Sequence, residues 1–225
     1  MAIQKTPLVL VTGFEPFGGE RENASWEAVK VLQKVLCERI GNKDSGLVTA
    51  RLPVEFVGGP AALRAAIAKY QPSAVVCVGE AGGRSVVTPE RFGRNLADAR
   101  IPDNSGAQPR GQTLDGGDER ILARVNVDAL AAEIAANQVP VEVSEDAGTY
   151  VCNAVLRALI RDFSGPGVFI HIPALRRKGR AHIGDETDSL TASRDVSGGN
   201  QKSELTFADI ARMLETAINF LRIQL

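Results

Sequence analysis

The stretch Ala74-Val75-Val76-Cys77-Val78-Gly79-Glu80-Ala81-Gly82-Gly83 decides the fold class. Five apolar residues in a row, with no polar alternation, predict a strand over 74–78 that is buried on both faces and ends at Gly79. Strands of that kind sit in parallel sheets covered by helices. The pattern recurs at 8–12 (Leu-Val-Leu-Val-Thr) and 168–172 (Val-Phe-Ile-His-Ile), and less apolar versions lie at 47–52 and 139–143. Helical spacing fills the gaps. Ser25 reads as an N-cap before the stripe Trp26, Val29, Leu32, Val35, Leu36 and Ile40, which stops at Gly41. Further helices are predicted over 60–70 (Leu63 and Ile67 inward), 127–136 (Leu130, Ile134), 150–163 (Val151, Val155, Leu159, Ile160) and 205–221 (Phe207, Ile210, Leu214, Ile218, Leu221). The alternation implies a mainly parallel sheet with helices on both faces. Residues 86–118, rich in Pro, Gly, Asp, Asn and Arg, read as loop with one hairpin. The polar segment 176–203 is expected to be a mobile lid, a partner-binding arm or a disordered stretch.

The chain has 225 residues, enough for one full domain with a sizeable core. Lys and Arg total 26 against 27 Asp and Glu, a net charge of -1. That balance excludes a nucleic-acid binder that relies on bulk basicity. No apolar run approaches the roughly 18 residues of a membrane span. Residues 7–11 are too short for a signal-peptide core, and Gly13-Phe14-Glu15 stands where a cleavage site should follow. The 3 cysteines form no Cys-x-x-Cys pair, which speaks against a disulfide scaffold and fits a reducing cytoplasm. With 2 His and no His-Glu-x-x-His, a zinc site is not expected.

In such sheets, sites gather beyond the carboxyl ends of strands. The turns after Val11, Val78 and Ile172 are therefore the places for chemistry. Cys37, inside the first helix, reads as a small core residue, and Cys77, between valines, as inert. Cys152 lies in the first turn of a predicted helix, where free amides and the positive dipole end favour thiolate over thiol. It is either a buried first-turn residue or a nucleophile. His171 sits in an apolar strand just before the carboxyl end and needs a polar partner. It is either a satisfied core histidine or the base for Cys152; His182, in the polar segment, reads as solvated. Glu90, in Thr88-Pro89-Glu90-Arg91, could orient an imidazole. The turn from Gly13 to Gly19 matches neither a dinucleotide fingerprint nor a P-loop. Its Phe14 and Phe17 either cap the core or wall a small apolar pocket.

Taken together, the motifs resemble the pyroglutamyl peptidase I (pyrrolidone-carboxylate peptidase) family. They are Val11-Thr12-Gly13-Phe14-Glu15-Pro16-Phe17-Gly18-Gly19, Asn23-Ala24-Ser25-Trp26-Glu27, Leu52-Pro53-Val54-Glu55-Phe56 and Cys77-Val78-Gly79-Glu80-Ala81-Gly82-Gly83-Arg84. Then follow Thr88-Pro89-Glu90-Arg91, Asp98-Ala99-Arg100-Ile101-Pro102-Asp103-Asn104, Ala147-Gly148-Thr149-Tyr150-Val151-Cys152-Asn153 and Phe169-Ile170-His171-Ile172-Pro173. The resemblance implies one catalytic domain over 1–225, a three-layer α/β/α sandwich with a twisted mixed, mainly parallel sheet. It implies a cytoplasmic cysteine exopeptidase, assembled as a dimer or tetramer, that removes an N-terminal pyroglutamyl residue without a cofactor. Nucleic acid and membrane are not expected partners. Carried over by motif, Cys152 would be nucleophile, His171 base, Glu90 the orienting acid and Arg91 an oxyanion partner. Phe14 and Phe17 would sandwich the ring, and Asn23 and Glu80 would line its pocket.

The chain departs from the family pattern at several places. Glu80 replaces a glutamine expected to accept the lactam N–H. Gly93, Arg94 and Ala154 differ from the usual residues, and Ala174-Leu175-Arg176-Arg177-Lys178 replaces Tyr-Leu-Pro-Glu-Gln. Two other readings compete: a nucleoside phosphorylase-like transferase, with phosphate held by Arg84, Arg91 and Arg100, and a non-catalytic binder of pyroglutamyl peptides.

Overall fold

All of β3 (Ala74–Ala81) is buried, because neighbours pair with both of its edges and helices cover both of its faces. A computed structural model describes residues 6–40, 45–177, 181 and 204–225. The remaining elements are β1 (Val9–Phe14), α1 (Ala24–Ile40), β2 (Leu47–Leu52), α2 (Gly58–Tyr70), β4 (Thr88–Pro89), β5 (Phe92–Arg94), β6 (Arg120–Leu122), α3 (Val127–Ala136), α4 (Val151–Asp162), β7 (Gly167–Pro173) and α5 (Phe207–Ile223). The main sheet runs β2-β1-β3-β7-β4. Its first four strands are parallel, and the two-residue β4 is antiparallel to β7. The sheet is therefore mixed and mainly parallel, as expected.

Pleating sorts the strand side chains onto two faces. Val9, Val11, Val76, Val78, Ile170 and Ile172 meet Leu32 of α1, Leu130 and Ile134 of α3 and Leu214 of α5. Leu10, Val75, Cys77 and Phe169 meet Leu63 of α2 and Val155 and Leu159 of α4. The result is three layers, α/β/α. Each fully buried aliphatic or Phe side chain contributes about 1.5–3 kcal/mol.

Several boundaries differ from expectation. β3 does not end at Gly79; pairing with β7 carries it through Glu80↔Ile172 to Ala81↔Pro173. α1 begins at Ala24 because Asn23, not Ser25, caps it, accepting the Ser25 amide at 3.0 Å. The Ser25 hydroxyl instead accepts the Phe14 amide at 2.8 Å and ties the end of β1 to the helix. α5 begins at Phe207 because Thr206 and Asp209 form a reciprocal capping box. No strand forms at 139–143. Pro140 offers no amide donor, and Val141 makes only an isolated bridge to Val87. The loop 86–118 holds β4 and β5, and the partner of β5 lies beyond it at β6. Cys37 is exposed, not a core residue. Most of 176–203, including His182, lies outside the described residues.

Candidate active site

The carboxyl ends of β1, β3 and β7 meet the amino end of α4 at one cleft of about 480 Å³, open mouth included. Gly148 takes φ +77°, where a β-carbon would be strained, and turns the chain into α4. Tyr150 occupies the N-cap position in extended conformation. Cys152 thus falls in the first helical turn, among amides with no acceptor inside the helix. Asn153 fixes this turn: its side chain accepts the Arg94 amide at 2.8 Å and donates to the Arg94 and Leu96 carbonyls at 3.0 and 2.9 Å.

Register sets the imidazole beside the glycine that lies under the thiol. His171 shares the α4 face of β7 with Phe169, and its partner on β3 is Gly79. A β-carbon on Gly79 would lie 2.9 Å from the Cys152 Sγ, so the sulfur rests directly on that glycine, one strand from His171. Both side chains line the cleft. Cys77 lies lower on the same strand face, where burial pushes its thiol up to about 12.

Glu90 follows β4 and is completely buried. Its Oε1 lies 2.7 Å from His171 Nδ1 and accepts from Arg84 Nη1 at 2.5 Å. Arg84 also donates to the Thr88 hydroxyl and, at 2.9 Å, to the Asp146 carbonyl. Burial drives the Glu90 carboxyl upward, but His171 and Arg84 outweigh it and hold the group below its ordinary range. An ionised carboxylate at that distance requires the proton on Nδ1, which leaves Nε2 as the ring's other nitrogen.

Phe14 and Phe17 line the cleft and are buried. Phe14 packs on Phe169 with centroids 6.3 Å apart, and Phe17 on Tyr150 at 6.1 Å. Asn23 lines it too, its amide donating to the Glu15 carbonyl at 3.1 Å. Glu80 lines it as well. Arg176 grips both its oxygens at 2.8 Å, and the Ala24 amide donates to Oε2 at 2.6 Å. Burial pushes the Glu80 carboxyl up, while Arg176 and that amide act in the opposite sense.

Arg91 is not brought to the cleft, which corrects the expectation for it. In extended chain, neighbours point to opposite sides. With Glu90 inward, Arg91 turns outward and binds Asp128 at 2.6 Å and Glu145 at 2.6 Å. Of the three arginines offered for phosphate, only Arg84 lines the cleft, and its guanidinium already holds three acceptors. Arg100 is exposed. The sequence reading assigned no role here to Tyr150, Asn153 or Arg176. Asn153 was legible as a polar residue in an otherwise apolar helix start. Arg176 had only one signal: a basic departure from the family pattern in the same chain as the acidic departure at Glu80. Among the described residues no group of three or more His, Cys, Asp or Glu could hold a metal ion. No helix among them is long and apolar enough to cross a membrane.

Fold and cleft define an α/β protein with a thiol, an imidazole and a carboxylate gathered beside an aromatic-walled slot. The model of the family described as pyroglutamyl peptidase matches residues 7–204. The pyrrolidone-carboxylate peptidase of Bacillus amyloliquefaciens is 43% identical over 171 residues, covering 73% of this chain and 77% of that one. The pyrrolidone-carboxylate peptidase of Erwinia tasmaniensis is 43% identical over 186 residues, 81% of this chain and 85% of that one. The crystal structure of pyroglutamyl peptidase I from Bacillus amyloliquefaciens superposes with a TM-score of 0.78 at 35% identity, over 97% and 96% of the two chains. The chain belongs to the pyroglutamyl peptidase family.

Proposed function

We propose that this protein is a cysteine exopeptidase that removes an N-terminal pyroglutamyl residue from peptides. One observation carries the reading: the Cys152 sulfur rests on Gly79, beside a histidine whose Nδ1 is held by a buried carboxylate. A pyroglutamyl terminus is a neutral five-membered lactam with no free amine. It suits a slot walled by Phe14 and Phe17 with few polar partners.

In this mechanism the Cys152 thiol gives its proton to His171 Nε2 as Sγ attacks the carbonyl carbon of the pyroglutamyl residue. First-turn amides of α4 stabilise the oxyanion, each such donor worth about 3 kcal/mol. The imidazolium protonates the leaving nitrogen, the C–N bond breaks, and a thioester remains. Water then loses a proton to His171, attacks the thioester and releases pyroglutamate, and the thiol is regenerated. Glu90 keeps the imidazole in the required tautomer and stabilises its charged form. Arg91 has no part in these steps. The reading carries with it a single catalytic domain, cofactor-free chemistry, a cytoplasmic setting and a homo-oligomer, the last tested by light scattering.

The test is turnover of a pyroglutamyl-coumarin amide. Wild type cleaves it without added phosphate and loses activity on thiol alkylation. The Cys152→Ser variant falls by at least ~10³-fold. An active Cys152→Ser variant overturns the nucleophile, and turnover that requires phosphate makes the protein a transferase. Tight binding of the amide without turnover makes it a non-catalytic binder.

A further inference from the structure

After β7 the chain passes beside Glu80. Arg176 is buried there, its side chain 3% exposed. Its Nη1 donates to Glu80 Oε2 and its Nη2 to Glu80 Oε1, both at 2.8 Å. Nη1 also reaches the Leu175 carbonyl at 3.0 Å, and Nε reaches Glu20 Oε2 at 3.4 Å. The next residue continues the attachment: the Arg177 amide donates to Glu22 and its Nε to Glu27. Residues 176–177 are thus latched to the start of α1 and to the turn before it, the turn that carries Phe17 and Asn23. Two of the charged departures from the family pattern, at 80 and at 176, meet in one ion pair.

The consequence lies in the charge presented to a bound ring. A carboxylate has four lone-pair directions. On Glu80, Arg176 occupies two and the Ala24 amide a third, which leaves one on Oε1. That remaining direction suits a neutral N–H donor. A bare carboxylate at the end of an aromatic slot would instead take up a proton or recruit a cation. The N-terminal proline ring has the same size as the lactam but carries a protonated secondary amine. Resting on the function proposed above, we infer that Arg176 is a specificity-determining positioning residue: by closing an ion pair with Glu80 it offsets the carboxylate that lines the ring pocket, so that the uncharged lactam enters and the protonated prolyl ring does not.

Kinetics of pyroglutamyl- and prolyl-coumarin amides separate the possibilities. In wild type the pyroglutamyl substrate is favoured by at least ~100-fold in kcat/KM. In Arg176→Ala the pyroglutamyl KM rises at least ~10-fold with kcat changed less than ~3-fold, and the prolyl-to-pyroglutamyl ratio rises at least ~10-fold. In Glu80→Gln/Arg176→Ala, where the pocket carboxylate that Arg176 pairs with is itself gone, at least ~5-fold of the lost KM returns and the prolyl gain disappears. An Arg176→Ala variant with unchanged KM and unchanged ratio overturns this inference and leaves the peptidase reading standing. So does a double variant as damaged as Arg176→Ala, which would make the latch purely structural. Should Arg176→Ala fail to fold, the double variant decides alone: a pyroglutamyl KM within ~3-fold of wild type supports the inference, and one raised at least ~10-fold overturns it. A wild type that cleaves neither amide overturns the peptidase reading and this inference with it.

Discussion

Glu90 has no exposed surface and yet stays ionised, because His171 and Arg84 share its charge. Removing that charge strands a guanidinium in the interior. Glu90→Gln is expected to lower stability by about 3–5 kcal/mol in urea denaturation followed by Trp26 fluorescence. It also lowers turnover by at least ~100-fold, since the imidazole loses the group that fixes its tautomer. Gly79 is the second residue of consequence. A methyl group there would lie 2.8 Å from the Phe169 ring and 2.9 Å from the Cys152 sulfur. Gly79→Ala should cost roughly 1–3 kcal/mol by overpacking and slow alkylation of Cys152, read as the rate of labelling with iodoacetamide.

At the scale of elements, the first turn of α4 depends on Asn153 more than on any cap. Asn153→Ala leaves the Arg94 amide and two carbonyls without their partner, so stability falls by roughly 1–3 kcal/mol in the same urea assay. Thr206→Ala opens the capping box of α5 and costs about 1 kcal/mol, measured as a shift in thermal midpoint. The elements themselves were largely legible. β2 and α3 fall on the expected residues, because short apolar runs and three-and-four spacing report burial directly. Boundaries set by distant partners were not. β3 outruns Gly79 only because β7 pairs with it to Ala81, and a glycine that reads as a stop is in fact the floor beneath a sulfur. The site shows the same division. Cys152, His171 and Glu90 stood out by residue type and position, and the structure gathers them at one cleft. Arg91 misled because a linear motif does not say which of two neighbours faces inward. Arg84 reaches Glu90 from a turn six residues away, a geometry that no local pattern encodes.

For the molecule as a whole, carboxylates paired with basic partners shape the response to acid. Asp115 is held below its ordinary range by the Arg157 fork, and Glu90 by His171 and Arg84 against its own burial. A depressed carboxyl stabilises the fold above its unfolded value, and that contribution disappears as pH falls through the folded value. Glu80, pushed up by burial, has the opposite sign and softens the trend. Urea midpoints should therefore stay flat from pH 7 to about 5 and drop below about 4. Asp115→Asn should be less stable at neutral pH and show a shallower acid limb.

The order of the strands has a temporal side. β7 inserts between β3 and β4, so the last strand made among the described residues is the one that completes the interior of the sheet. Cys152 leaves the ribosome nineteen residues ahead of His171 and long after β3, and its base comes within reach only when β7 docks. Reactivity arrives with topological closure: a chain stalled before the seventh strand carries its cysteine unarmed.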